Sequence, residues 1–392
     1  MQLCTLSNSH QPGVQAALAG FSLPESSEAA IPSFALEEPV PTAARPLYLN
    51  YNENSLGMSP KASAAAAAAL ASACRYPDAA RAQAAADIAA FWRVGVENVA
   101  IGNGSSEIIR AVIASQVNKA RLAGQAVQLL EPVPTFDSAA VYARALGIPV
   151  TDVPVDGKTC RADAAALRRA AEAFDGLTIL YFCNPNNPTG CASPASEINA
   201  WVEEAGAKRA PIFFLIDEAY AEFVTDPSVR TVIECVRRGC GNVVVSRTFS
   251  KLYAMAGLRF GYGIGVRSAA AETNAFCAID NANAAAAAAA SASLKDAAYA
   301  AATLEAIQLS RKIVEDAFRE LAVEWVPTQA NFIFHRVKGS GREYANAMAE
   351  RHVVVGRAFP PLVGWSRLTL GTPGEMKACV RALRAVHEAG WL

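Results

Sequence analysis

Four short apolar runs in this chain end in uncommon polar clusters, a fifth contains an arginine, and the residue types involved suit one kind of chemistry. Residues 126–130 run into E-P-V-P-T-F, 177–182 into N-P-N-N-P-T-G, 212–216 into D-E-A-Y-A-E-F, 242–245 into S-R-T-F-S-K, and 258–264 carries Arg259. In parallel α/β sheets, ligands bind outside the carboxyl ends of the strands. If these runs are neighbouring strands, one crevice collects Phe136, Asn187, Asp217, Tyr220 and Lys251. An aromatic face, an amide, a carboxylate, a phenol and an amine together match the needs of pyridoxal phosphate.

Each need has a physical reason. The aldehyde is held by a lysine whose amine loses its proton near neutral pH, which burial and neighbouring cations favour, and Lys251 is the candidate. The pyridine nitrogen stays protonated beside an ionised carboxylate, a part Asp217 can play. Asn187 and Tyr220 can donate to the ring oxygen, and Phe136 can cover the ring face. For the phosphate, Gly102-Asn103-Gly104-Ser105-Ser106 opens a predicted helix, 107–116, whose backbone N–H groups form an anion site. Thr248, Ser250 and Arg259 can add hydroxyls and a guanidinium fork.

The elements that must position these residues follow from the pattern. Strand-like runs alternate with helical ones, and the apolar positions Ile108, Ile109, Val112 and Ile113 share one helix face, the signature of βαβ units around a mostly parallel sheet. After residue 284 comes a long alanine-rich helical stretch through 322, then strand-like pieces at 331–336, 352–355 and 366–370. That change predicts a second, smaller α+β domain. Residues 1–45, rich in Ser, Pro, Glu and Gln without periodicity, read as an N-terminal arm.

Composition excludes other classes. The chain has 392 residues, 52% hydrophobic and 18% charged, enough for a large core and too apolar for disorder. Its 35 basic and 36 acidic residues nearly cancel without long runs of one sign, so neither a nucleic-acid backbone nor an anionic membrane is an expected partner. A small-molecule partner is expected. The first 44 residues contain no Lys or Arg, so no charged n-region of a signal peptide is present, and no stretch reads as a membrane span. Nine cysteines, scattered from Cys4 to Cys379, and four unclustered histidines suggest free thiols, no metal site and a cytoplasmic location.

Eight motifs carry a resemblance to a known family: Y-N-E-N-S-L-G at 51–57, R-Y-P-D at 75–78, G-N-G-S-S-E at 102–107, P-N-N-P-T-G at 185–190, D-E-A-Y at 217–220, S-R-T-F-S-K at 246–251, G-L-R-F-G-Y at 257–262 and R-L-T-L-G-T-P at 367–373. With them the chain resembles pyridoxal-phosphate-dependent aminotransferases of class I/II, fold type I, and is most similar to histidinol-phosphate aminotransferases. The resemblance implies a large cofactor-binding domain at 76–294 with a mostly parallel seven-stranded sheet, and a small α+β domain from 46–75 and 295–392. It implies that Lys251 carries the cofactor, that Asp217 faces the ring nitrogen, and that Asn187 and Tyr220 hold the ring oxygen. Tyr76 is implied to reach the phosphate in the neighbouring subunit of a homodimer. Arg367 is implied to grip the substrate carboxylate, with Tyr51, Asn54 and Arg357 as further substrate contacts. The family's usual proline after N-E-N is Ser55 here, and many members place a tyrosine where this chain has Phe136.

The implied reaction moves an amino group between an amino acid or histidinol phosphate and 2-oxoglutarate in two half-reactions. Lys251, once freed, shuttles the proton. Two alternatives stay open: a decarboxylase, lyase, cyclase or oxidase using the same cofactor, and a cofactor-binding regulatory module, which the lack of a preceding helix-turn-helix pattern disfavours.

Overall fold

The computed structural model describes residues 30–392. Residues 1–29, most of the expected arm, lie outside the described residues. A 3-10 turn, Ser33–Leu36, with Ala35 packed against Leu56 and Ala306, and a short strand, β1 (Leu47–Leu49), come before the main sheet is built. That sheet comprises β2 (Val99–Gly102), β3 (Val127–Val133), β4 (Val150–Pro154), β5 (Leu177–Cys183), β6 (Ile212–Asp217), β7 (Val243–Thr248) and β8 (Gly261–Gly265), in the spatial order β2-β8-β7-β6-β5-β3-β4. The five strands from β7 to β4 in that order are parallel, and β8 is antiparallel to both of its neighbours.

Both faces of the sheet are covered, and so its central strands read as continuous apolar runs. Leu129, Ile179, Tyr181 and Leu215 point to one face, packed against Ile108, Ile109 and Val112 of the helix Ser105–Leu122. Leu130, Leu180, Phe214 and Ile216 point to the other, against Trp201 and Val202 of Ile198–Ala207 and the alanines of Ala284–Leu294. Register levels the strand ends: Cys183 pairs with Asp217, and Asp217 with Ser246. The polar residues that follow therefore emerge side by side.

Four strands, β1, β2, β4 and β9 (Trp325–Val326), were not expected from sequence. β2 and β9 are too short to show a period, and β4 is an edge strand whose side chains are only partly buried. The expected helix from 284 through 322 is two helices, Ala284–Leu294 and Ala297–Glu320. Asp296 leaves the helical region at φ −110°, ψ 61° and pairs with Lys61, so the second helix sets off on its own course.

The C-terminal part has the antiparallel order β12-β10-β9, with β10 (Phe332–Arg336) and β12 (Trp365–Thr369), while β11 (Val353–Val355) pairs in parallel with β1. The helix Pro373–Glu388 opens with a Thr372/Glu375 capping box and lies on Ala297–Glu320. The helix Pro60–Ala69, assigned from sequence to the smaller domain, buries Ala62 and Ala66 in one apolar cluster with Ala286 and Ala287 of Ala284–Leu294. Small alanine faces allow that close packing. Among the described residues no helix is long and apolar enough to cross a membrane.

Candidate active site

The ends of β5, β6 and β7, the start of the helix Ser105–Leu122 and the C-terminal part enclose a cavity of about 560 Å³. Lys251 lines it three residues beyond β7, half-buried, and its Nζ donates to the Tyr51 carbonyl at 3.0 Å. Burial, followed by the positive charge of Arg367, brings its amine down from the ordinary lysine value to about 8.

Asp217 ends β6 and is buried. Its Oδ2 accepts from the Tyr181 hydroxyl at 3.0 Å, whereas its Oδ1, also buried, has no partner. Burial raises this carboxyl from 3.8 to about 6, and the Tyr181 hydrogen bond works against that rise. A buried carboxylate oxygen left unpaired beside a cavity is costly unless something with a proton to share fills the space.

Beside Asp217, the Tyr220 hydroxyl accepts from Asn52 Nδ2 at 3.1 Å and from Asn187 Nδ2 at 3.4 Å. Arg367 Nη1 donates to Asn187 Oδ1, and Arg367 Nη2 to the Asn50 carbonyl, each at 2.5 Å. Burial lowers the Arg367 guanidinium to about 10, so it remains a cation at neutral pH. It sits over the rings of Phe332 and Phe359, at 5.6 and 5.1 Å from their centroids.

The opposite end of the cavity is shaped for an anion. Ser105 and Ser106 line it at the first turn of an 18-residue helix. Thr248 Oγ1 donates to Ser250 Oγ at 2.8 Å, and Arg259 Nη1 reaches the same Ser250 oxygen at 3.4 Å. Gly104 sits at φ +75°, ψ 170°, a backbone conformation that L side chains rarely adopt, which is why glycine stands there.

Phe136, Asn187, Asp217, Tyr220, Thr248, Ser250, Lys251, Arg259, Arg357 and Arg367 all line this one cavity, as does Tyr51 at its mouth. Three predicted residues are not in its lining: Gly104 immediately precedes Ser105 at its edge, and two lie apart from it. Asn54 turns away, donating to the Leu252 carbonyl at 2.8 Å and accepting from the Leu56 amide. Tyr76 is 77% exposed in a separate depression with Asn103 and Asn281, so a single chain does not bring it to the lysine. Arg357 lines the mouth, but its guanidinium is bound to Asp137 at 2.7 Å and lies over Phe359.

Sequence reasoning missed Asn52, Tyr181, Asp137 and Phe359. Asn52 was within reach, two residues before Asn54 in the same motif; its φ of +54° sends its side chain to the cavity instead. Asn is one of the few residues that tolerates this conformation. Among the described residues no cluster of His, Cys, Asp and Glu could hold a metal ion.

A doubly covered, mostly parallel sheet with a lysine and an unpaired buried carboxylate at its carboxyl edge, and an anion cradle alongside, defines an α/β enzyme for a charged ring with a carbonyl. The chain belongs to the aminotransferase class I and II family, whose profile matches residues 45–383. It is 36% identical to a histidinol-phosphate aminotransferase of Rubrobacter xylanophilus over 86% of this chain and 90% of that one. A solved structure from Erwinia carotovora atroseptica, provisionally described as a histidinol-phosphate aminotransferase, superposes with a TM-score of 0.85 at 36% identity, covering 90% of this chain and 99% of that one. The fold is also that of histidinol-phosphate aminotransferase from Sinorhizobium meliloti in complex with pyridoxal-5'-phosphate, at 24% identity, TM-score 0.76, with 88% and 91% covered.

Proposed function

We propose that this enzyme is a pyridoxal-phosphate-dependent aminotransferase. It would move an amino group between histidinol phosphate or an aromatic amino acid and 2-oxoglutarate in two half-reactions. The observation that carries the reading is that the Lys251 amine and the unpaired Asp217 Oδ1 share one cavity with an anion cradle. When bound, the cofactor supplies an aldehyde that takes up the amino group and a protonated ring that draws electrons from the substrate carbon.

The chain's own residues would do the rest. Lys251, with its amine brought down to about 8, gives up its proton at an accessible pH and then carries a proton to and from the substrate carbon. Asp217 Oδ1 would receive the ring N–H. Asn187 and Tyr220 would hold the ring oxygen, and Phe136 would cover the ring face. Gly104, Ser105, Ser106, Thr248, Ser250 and Arg259 would hold the phosphate. Arg367 would hold the carboxylate of glutamate or 2-oxoglutarate, with Tyr51 beside it at the mouth. A distal anion on the donor would have to take Arg357 from Asp137.

Two finer points belong to the same reading. The enzyme would act as a homodimer in which Tyr76 of one chain completes the site of the other. Its eight described cysteines, all free, support a cytoplasmic location.

The test begins with pyridoxal phosphate added to purified protein. The wild type gains the visible absorbance of the bound cofactor, and Lys251→Ala does not. A donor screen then reads that band. Its loss with one keto acid released per site supports transamination; release of carbon dioxide or peroxide instead moves the enzyme to another reaction class. A wild type that gains no band overturns the reading.

A further inference from the structure

Behind Asp217 lies a group that no motif points to. Tyr181 is fully buried in the middle of β5, two residues before the strand end that pairs with Asp217. Its hydroxyl has one hydrogen bond, to Asp217 Oδ2 at 3.0 Å. We propose that Tyr181 is a positioning residue: it fixes the Asp217 carboxylate by one oxygen and thereby reserves the other, Oδ1, as an ionised acceptor for the cofactor's ring nitrogen. This rests on reading the cavity as a pyridoxal-phosphate site.

The surroundings make Tyr181 a permanent donor. Burial, with the charge of Asp217 next, pushes its phenol well above the ordinary tyrosine value, so it does not ionise and abandon the bond. Cys183 beside Asp217 on β5 is likewise held as a thiol by burial. Glu131, on β3 behind Tyr181, is buried, has an unpartnered Oε2 and is raised to about 8, chiefly by burial. Its protonated form is thus favoured at neutral pH. Lys251 across the cavity favours the Asp217 anion, and Glu218 opposes it. Of the groups facing Asp217 from its neighbouring strands, Tyr181 alone donates a side-chain hydrogen bond to its carboxylate. With Oδ2 so held, and the Ala219 backbone N–H also favouring the anion, the carboxyl has a fixed plane and its Oδ1 has no side-chain partner.

The test is Tyr181→Phe, which keeps the ring and removes the donor. The bond exists with and without cofactor, so only the part of its worth that keeps Asp217 ionised and fixed reaches binding, and cofactor affinity is expected to fall by up to about tenfold. Because the lost bond had lowered the Asp217 pKa, the acid limb of the kcat/KM profile moves to higher pH. In the Asp217→Asn background the same substitution should change cofactor affinity little, since the two residues act as one unit. Replacing Tyr181 with 3-fluorotyrosine keeps the packing, strengthens the donor, and should move the acid limb to lower pH.

Equal losses from Tyr181→Phe with Asp217 and with Asn at position 217 would make Tyr181 a packing residue and overturn the proposal. An acid limb unmoved by both the phenylalanine and the fluorotyrosine would do the same. A wild type that binds no pyridoxal phosphate would instead overturn the reading of the cavity itself.

Discussion

Asp217 is held by the folded chain in a buried position that raises its affinity for a proton. Its pKa is raised from 3.8 to about 6, so the native state binds this proton more tightly than the unfolded chain does. The associated stability is complete below about 3.8, is lost as pH rises through about 6, and is absent at neutral pH. A rise of that size corresponds to roughly 3 kcal/mol. Asp217→Asn removes the charge and keeps the shape, so the cofactor-free variant should be more stable than wild type at pH 8 by about 1–3 kcal/mol while losing activity. Urea unfolding of both proteins without cofactor checks this; a less stable variant would show that the carboxylate is satisfied in the empty site. Lys251, Asp217, Asn187 and Tyr220 were legible in the sequence because each follows or closes an apolar run with a group that a core does not need, whereas Arg367 was reached through the resemblance carried by R-L-T-L-G-T-P. Tyr181 was not, since a tyrosine inside L-T-I-L-Y-F-C reads as core, and only the strand register shows what its hydroxyl meets. Asn52 and Asn54 are the same type in the same motif, and one backbone torsion decides which reaches the cavity.

Strands place these side chains by register, and a buried ion cluster locks two of the segments together. Arg247 lies between Ser246 and Thr248 on β7 and points away from the cavity. It is 1% exposed, within 3.3 Å of Glu218 and 3.0 Å of Glu222, over the Trp92 ring at 4.3 Å. The cluster thus ties the S-R-T-F-S-K segment to D-E-A-Y-A-E-F. Replacing it with an apolar residue, Arg247→Met, leaves two carboxylates buried without their cation and should destabilise the protein by about 3–5 kcal/mol in urea unfolding. A loss under about 1 kcal/mol would mean that the carboxylates already hold their own protons. His335, buried on β10 between Phe318 and Tyr344, gives a second test. Burial lowers its pKa from 6.5 to about 4, so its stability is present above about 6.5 and is lost as pH falls through about 4. His335→Phe should flatten the decline in thermal unfolding temperature between pH 6.5 and 4, and a decline as steep as that of the wild type would assign the acid sensitivity to other groups. The elements that the sequence hid are those whose pattern is set by neighbours. The break at Lys295 and Asp296 falls inside a run of good helix formers and is imposed by packing on both sides, and β4 shows edge-strand alternation over only five residues.

At the scale of the molecule, two exposed apolar side chains lie in a depression separate from the cavity. Leu70 and Tyr76 border the depression that also holds Asn103, the residue whose carbonyl accepts from Arg259 at the anion cradle. The Tyr76 phenol is exposed within one chain and does not line the cavity; on the homodimer reading proposed above, it would serve the anion end of a second copy. A two-fold assembly makes this reciprocal: each chain would lend its Tyr76 and borrow its partner's. The consequence is complementation between two defective chains. Lys251→Ala keeps Tyr76 but has no amine; Tyr76→Ala keeps the amine but lacks the lent phenol. In a mixed dimer one site carries both defects, while the other has an intact Lys251 and receives an intact Tyr76. Unfolding, mixing equal amounts and refolding should make about half of the dimers mixed, with about a quarter of wild-type sites restored. Activity of the mixture should therefore exceed the mean of the two variants alone, and sizing chromatography should show dimers throughout. If Tyr76 served its own chain, or no site at all, mixing would leave activity at that mean. The gain must also vanish when both substitutions sit in the same chain and that chain is mixed with itself, since no site can then be whole.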